Sequence, residues 1–295
     1  MTTRAEARAV GGSRFGDRVM ALLELARWAN VLAGGAYALL GAWLAAGLGG
    51  LASFAVLRAV LVTMCILAAG NAMNDYADVD ADRIAKPARP IPSARVSRGD
   101  AWRFAWILGV LGLILSASLS ALHLLGGVVA LGASAAYSLR LKAVPLAGNV
   151  TVAVLAAGLL PYAALATGDV PPTVWAASTL TALYIIPHEI LLSMEDETSD
   201  RAVGIASTAS VLGQPRAMML YRVFAVGFCA VALAMGVVMP LPAGHLLIVP
   251  SAILPTIVVL GLTRGEPSPE RLRRAGRLAG LAWWASLVPL ALLRS

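Results

Sequence analysis

Apolar residues run along the chain in long unbroken blocks, and short segments between the blocks collect most of the charge. A helix needs about 20 apolar residues to cross a hydrocarbon core about 30 Å thick. Blocks near that length fall at 22–48, 51–70, 102–121, 123–139, 145–167, 172–192, 218–240, 244–263 and 278–293, which predicts nine transmembrane helices. The period-two alternation that the wall of a membrane β-barrel requires is absent, so the expected fold is all-α. Gly and Ala, abundant within the blocks, permit close helix packing. Residues 1–20 are polar and basic, with no short apolar core ahead of a cleavage site. They are expected to form a cytoplasmic tail before a single membrane domain over 21–295.

Composition agrees: 59% of the 295 residues are hydrophobic and only 13% charged, against roughly 25% charged in an average soluble domain. The net charge of +7 follows sidedness rather than nucleic-acid binding, because no basic surface interleaved with aromatic residues is visible. Arg4, Arg8, Arg14 and Arg18 lie in the tail. Arg83, Lys86, Arg89, Arg95 and Arg98 lie in the second connection, Arg140 and Lys142 in the fourth, Arg201 and Arg216 in the sixth, and Arg264, Arg271, Arg273, Arg274 and Arg277 in the eighth. The odd-numbered connections hold none. Positive charge marks the cytoplasmic side, so the amino terminus is expected inside and the carboxyl terminus outside. Cys65 and Cys229 sit in apolar blocks and are expected to be buried structural thiols, with no disulfide framework.

The second block runs directly into NDYADVDAD, residues 74–82. If the helix continues at about 100° per residue, Asn71, Asp75, Asp78 and Asp82 share an arc of about 60°, whereas Asp80 lies about 140° from Asp75. Three stacked carboxylates repel one another unless a cation neutralises them. After the sixth block comes HEILLSMEDETSDR, where one offset of 118 residues carries Asn71 onto Glu189, Asp75 onto Ser193, Asp78 onto Asp196 and Asp82 onto Asp200. An internal duplication of a four-helix unit, with one helix added, accounts for this. Two facing acidic clusters make a cage for two hard cations. Mg²⁺ usually shares itself between a few carboxylates and phosphate oxygens, so the implied ligand is a phosphate or diphosphate. A calcium EF-hand reading of DVDAD fails at Arg83, where that loop needs Gly, and at Arg89, where it needs Glu. A CDP-alcohol phosphotransferase lacks its DG and AR elements here.

NDYADVDAD resembles the NDxxDxxxD motif of the UbiA superfamily of intramembrane prenyltransferases, at Asn74, Asp75, Asp78 and Asp82. DRIAKPARPIPSARVS resembles the loop that follows that motif. YSLRLKAVPLAGN is similar to the family segment carrying Tyr137, Lys142 and Asn149, and LARWAN to the entry of the first helix, at Arg27 and Asn30. At the second motif Leu192 and Ser193 replace the usual Lys and first Asp, so one cation and one carboxylate are lost together. His188 stands where many relatives have Arg.

The resemblance implies nine helices around a central cavity, a cytoplasmic cap over two Mg²⁺ ions and a lateral opening for a lipid tail. It implies ionisation of an allylic isoprenyl diphosphate, with Asp75, Asp78, Asp82, Asp196 and Asp200 as the catalytic metal ligands. Asn71, Asn74, Lys86, Arg89, Lys142 and Arg201 are the candidates at the diphosphate, and Arg27, Asn30, Tyr137, Asn149 and Glu189 those at the substrate. For Asn71 and Glu189 three roles stay open: metal ligation through water, orientation of the acceptor, or hydrogen bonding between helices. KPARPIPSAR cannot be helical throughout, because Pro87, Pro90 and Pro92 each disfavour helix at the preceding residue, and it is expected to fold over the site and exclude water. Trp283 and Trp284 are expected to be interface or packing aromatics, His123 and His245 to lie at the membrane interface, and Glu24 and Arg58 to pack or snorkel. Three functions compete: prenyl transfer to a small-molecule acceptor, class I terpene cyclisation on the same scaffold, and ion transport through intramembrane carboxylates.

Overall fold

A computed structural model describes residues 16–238, 243–265 and 268–294. Arg4, Arg8 and Arg14 of the basic tail lie outside the described residues. Residues 16–26 form α1, and the chain continues through α2 (Trp28–Leu51), α3 (Phe54–Ala77), α4 (Val79–Ala85), α5 (Arg98–Ala117) and α6 (Ala121–Leu139). After a short turn of helix at Leu141–Ala143 come α7 (Ala147–Leu165), α8 (Pro172–Glu195), α9 (Glu197–Ala202), α10 (Thr208–Val238), α11 (Leu254–Leu262), α12 (Pro269–Ala285) and α13 (Leu287–Ala291). Nine stretches among the described residues are long and apolar enough to span a membrane. Local chemistry starts several of them: Ser53, Ser97, Ser120 and Ser268 each accept a hydrogen bond from a first-turn amide, which satisfies a donor the helix itself leaves open.

The duplication is legible in the backbone. The bounds of α3, Phe54 and Ala77, and those of α8, Pro172 and Glu195, are related by the same 118 residues at both ends. Both helices break at an aspartate with nearly the same dihedrals, Asp78 at φ −87°, ψ 6° and Asp196 at φ −88°, ψ 0°. Each break is followed by a short helix, and these two helices, α4 and α9, touch. Within each half α3 packs on α2 and α5, as α8 packs on α7 and α10. The halves meet along α2 and α7, where a Cβ on Gly41 would clash with the Leu160 carbonyl. Only glycine admits that approach.

The spans outrun their apolar blocks on the acidic side. Expected ends at 70 and 192 become Ala77 and Glu195, because ion pairs from other elements carry the polar turns that water would otherwise claim. The first span is interrupted instead: Arg27, at φ 53° and ψ 59°, separates α1 from α2. The added ninth helix clamps α2, since the Tyr37 hydroxyl donates to the Trp283 carbonyl at 2.8 Å and Trp43 Nε1 donates to the Ala291 carbonyl at 2.8 Å. Trp283 stacks on Tyr37, as expected of a packing residue. His123 and His245, expected at the interface, are buried within the protein. His123 pairs with Ser120 and meets Tyr162 edge-on, and His245 Nε2 donates to the Ala232 carbonyl.

Contacts between connections define two poles. Arg58 reaches from the start of α3 to the Ser118 carbonyl beyond α5, and Gly50 lies beside Thr167. The opposite pole holds both acidic motifs and the segment 86–97.

Candidate active site

Although α3 breaks at Asp78, the helical pattern survives: the Asp78 amide donates to the Asn74 carbonyl and the Asp82 amide to the Asp78 carbonyl. Asp75, Asp78 and Asp82 therefore face one way and are 4%, 7% and 4% exposed, whereas the Asp80 side chain is 69% exposed and pairs with Arg83. The break in α8 repeats the arrangement and leaves Asp200 2% exposed. Burying a carboxylate without a counter-charge costs several kcal/mol. Each of these acids has one within reach.

Four cations supply the compensation. Arg27 Nη2 donates to Asp75 Oδ1 at 2.7 Å and to Asn74 Oδ1 at 3.0 Å. Arg89 Nη1 donates to Asp82 Oδ2 at 2.6 Å and to Asp75 Oδ1 at 3.2 Å. Lys142 Nζ donates to Asp78 Oδ2 at 2.7 Å and stands 3.9 Å from Asp200 Oδ1, so one ammonium links the two motifs. Lys86 Nζ crosses in the other direction and donates to both oxygens of Asp196, at 2.8 and 3.0 Å. Asn74 Nδ2 completes the cluster with a 2.7 Å bond to Asp78 Oδ2. Burial pushes the Asp82 and Asp200 carboxyls above the usual carboxylate range, opposed by Arg89 at the first and by Ser207 and Lys142 at the second. Burial works against the Lys142 ammonium, yet Asp78, Asp200 and Asp196 outweigh it and raise its pKa.

The segment 86–97 is not helical, as the prolines require, and it holds two of these cations. Ile91 and Val96 are buried against α1 and α3, which fixes the backbone that presents Lys86 and Arg89. Arg95 pins the same segment to α1 through Glu24, at 2.6 and 3.0 Å, and to the Ala88 carbonyl. Glu24, expected to pack or snorkel, is thus an ion-pair partner, and its hydrogen bond from Arg95 lowers its pKa. Beside the cluster a cavity of about 540 Å³ opens, lined by Glu24, Arg27, Asp75, Lys86, Arg89 and Pro90 among others.

The remaining expectations divide. Tyr137 lies over Gly148 and faces the charges of Glu189, Asp78, Arg27 and Asp196. Glu189 faces Arg27, Asp196 and Lys142. Asn71 takes the structural alternative, donating to the Ala26 carbonyl at 2.8 Å. Asn149 bonds Thr208, whose hydroxyl also accepts from the Leu146 amide, so it braces the turn that carries Lys142. Asn30 is exposed and outside the cluster. Arg201 is drawn away from it, because Glu197 on the same helix and the Ser210 carbonyl take its guanidinium. Ser193, which replaces a carboxylate, accepts from the Ala209 amide at 3.0 Å and anchors the start of α10. That tie and the Glu24–Arg95 pair were missed at the sequence level. A Ser one turn before an acidic pair was the available signal for the first; the second, spanning 71 residues, left none.

Gly148 sets the position of Lys142. A Cβ there would lie 3.1 Å from the Leu141 carbonyl oxygen, 3.2 Å from Lys142 Cα and 3.3 Å from Tyr137 Cε2. Two of these neighbours are backbone atoms, so Gly148→Ala is expected to shift the turn and lower turnover about 10-fold, the scale on which small misplacements act, with little loss of thermal stability. Steady-state rates and melting curves of the variant check this.

No three carboxylate, imidazole or thiolate groups converge closely enough to hold an ion among the described residues. The donors are all hard carboxylate oxygens, which suit Mg²⁺, and the cations between them hold the acids apart. A divalent ion arriving with diphosphate needs only one or two carboxylates. The residues fit an ion shared with phosphate oxygens better than an ion alone.

Comparison with known proteins agrees with this construction. The UbiA prenyltransferase family matches residues 35–289, a range containing both acidic motifs. The digeranylgeranylglyceryl phosphate synthase of Halobacterium salinarum is 33% identical over 262 residues, covering 88% of this chain and 94% of that protein. The synthase of the same name from Pyrococcus abyssi is 32% identical over 209 residues, covering 70% and 74%. Among solved structures, one of a digeranylgeranylglyceryl phosphate synthase superposes with a TM-score of 0.73 at 21% identity, covering 94% of this chain and 98% of the other. A UbiA homolog from Archaeoglobus fulgidus bound to GPP and Mg²⁺ superposes with a TM-score of 0.68 at 20% identity, covering 92% and 99%. The chain is an integral membrane protein and belongs to the UbiA prenyltransferase family.

Proposed function

We propose that the protein ionises an allylic isoprenyl diphosphate, with Mg²⁺ at both acidic motifs, and transfers the prenyl group to the hydroxyl of a glycerol-phosphate lipid. The observation that carries this reading is the cluster of five carboxylates, drawn from both repeats and interleaved with four cations at one pole. Such a site holds a polyanion and its counter-ions together. Mg²⁺, when bound, supplies charge that offsets the negative charge developing on the leaving diphosphate. Asp75, Asp78 and Asp82 would hold one ion, and Asp196 and Asp200 a second. With those acids on metal, Arg89, Lys86 and Lys142 would be free to donate to diphosphate oxygens, while Arg27 would hold Asp75 and Asn74 in place. The segment 86–97 covers the mouth and limits water at the reacting carbon. The acceptor class rests on relatives named digeranylgeranylglyceryl phosphate synthase, which align over most of the chain.

The test supplies geranylgeranyl diphosphate and Mg²⁺ with and without geranylgeranylglyceryl phosphate, and follows both diphosphate release and the lipid product. Acceptor-dependent ether formation is expected. A hydrocarbon or terpene alcohol formed without acceptor would establish cyclisation instead. A related expectation concerns the metal: Mg²⁺ alone should shift the melting temperature by less than about 1 °C, and Mg²⁺ with a non-hydrolysable diphosphate analogue by several, since ligands stabilise by mass action. A large shift with Mg²⁺ alone would contradict a shared ion.

We also propose that the acidic pole faces the cytoplasm, a reading supported by the basic residues gathered there. Ser93→Cys at that pole should react with impermeant maleimide from the cytoplasmic side, and Asp169→Cys from the other side. Equal or reversed labelling would refute it.

A further inference from the structure

Every buried carboxylate of the two motifs has a cation within reach, but the carboxylate of Glu189 has neither a hydrogen bond nor an ion pair among the described residues. It lies in α8, two residues beyond Pro187, which denies the helix one backbone donor. It is half-buried and stands seven residues before Asp196, about 10 Å deeper along the helix axis. Its counterpart in the first repeat, Asn71, is consumed by the Ala26 carbonyl at the end of α1. The second repeat thus carries an acid where the first carries an amide, and that acid is tied to nothing. An unpaired acid within a membrane span is costly to keep and marks a functional position.

The charged and titratable groups that face it come from three sides. Arg27 approaches from the junction of α1 and α2, Lys142 from the turn after α6, and Asp196 from the end of α8. Tyr137 approaches from α6, and His188 adjoins it in sequence. Arg27 is committed to Asp75 and Lys142 to Asp78, so both cations lend Glu189 a favourable field without occupying it. The carboxylate therefore lies in the field of the charged cluster with its oxygens uncommitted to any partner among the described residues.

We infer that Glu189 accepts the proton of the acceptor hydroxyl during prenyl transfer. The inference rests on the transferase reading above. As the bond from C1 to the diphosphate oxygen breaks, its electron pair leaves with the diphosphate. The acceptor oxygen forms the new C1–O bond, and its proton passes to a Glu189 carboxylate oxygen and then to solvent as product leaves. Charge and atoms balance without any further reactant. Arg27 and Tyr137 act on the carboxylate through their charge and dipole, not through a bond.

The full chain in detergent, assayed with geranylgeranyl diphosphate, geranylgeranylglyceryl phosphate and Mg²⁺, tests this by following diphosphate release and ether formation together from pH 5.5 to 8.5. Glu189→Gln keeps the shape and removes the base. It should lower ether formation about 100-fold, within the range of general-base catalysis, while diphosphate release falls less, so that more diphosphate is released per ether formed. The rise of the wild-type rate with pH should flatten, and Glu189→Asp should recover part of the rate with its pH dependence. Wild-type coupling and pH profile in Glu189→Gln would overturn the inference alone, as would a parallel loss of both products or a raised Mg²⁺ requirement, which would place the residue in ionisation. A wild-type protein that forms a terpene without acceptor overturns the transferase reading, and this inference with it. Glu189→Asp serves as the folded comparison should Glu189→Gln fail to accumulate.

Discussion

Asp78→Ala should abolish diphosphate release, lowering single-turnover rates by about 1000-fold, while Asp80→Asn should stay within about twofold of wild type. The two residues are neighbours in one acidic run, yet one is buried at the contact between the repeats and the other is paired with Arg83 in solvent. Asp78 accepts from both Lys142 and Asn74, so its removal leaves an ammonium and an amide without their acceptor. It also deletes a metal ligand on the proposed reading. Losses of 10²–10³ follow removal of a single preorganised group in other sites, and a ligand that also orders its neighbours should cost no less. Asp80 contributes only screened surface electrostatics. Severe loss in Asp80→Asn with survival of Asp78→Ala would reverse the assignment of the motif face.

The second large effect is expected at Lys142. Its ammonium is the link between Asp78 and Asp200, and these side chains are 19%, 9% and 2% exposed. Lys142→Met leaves two buried carboxylates facing each other. Breaking a buried pair from one side costs about 3–5 kcal/mol, so a marked fall in melting temperature is expected in detergent, together with at least about a 100-fold loss of turnover. Mg²⁺ with a diphosphate analogue should restore much of the stability, because the ion replaces the missing charge, but not the turnover. Lys142→Arg should be intermediate, since a planar guanidinium cannot sit as a point charge between two acids. If Lys142→Met melted like wild type without ligand, the ammonium would not be what holds the repeats together.

Much of the architecture was legible because membrane insertion writes hydropathy in blocks and duplication writes an offset. The residues Asn71, Asp75, Asp78 and Asp82 and their partners 118 positions on lie on matched helices that break at matched aspartates. Period alone separated Asp80 from its neighbours. Helix ends were less legible: α3 and α8 continue past their apolar runs on ion pairs supplied by distant segments, and hydropathy carries no record of those. The same blindness explains Arg201, whose place beside the second motif suggested the diphosphate until Glu197 was seen to hold it. Side-chain partners separated by 71 or 110 residues, such as Arg95 with Glu24 and Lys86 with Asp196, are properties of the fold. Arg27 was reached only through family resemblance, since an isolated arginine at the edge of a span is equally a snorkelling group.

The four cations at the cluster, Arg27, Lys86, Arg89 and Lys142, all precede α7, while Asp196 and Asp200 follow it. A chain made from its amino end therefore completes the first repeat with its three acids and all four bases already in hand. That portion is electrically self-sufficient before the rest has left the ribosome. The later repeat brings acids and no base of its own to the site, so its aspartates find waiting partners rather than each other. Lys86, which donates to Asp196, and Lys142, 3.9 Å from Asp200, are the groups through which the second repeat's acids meet the first.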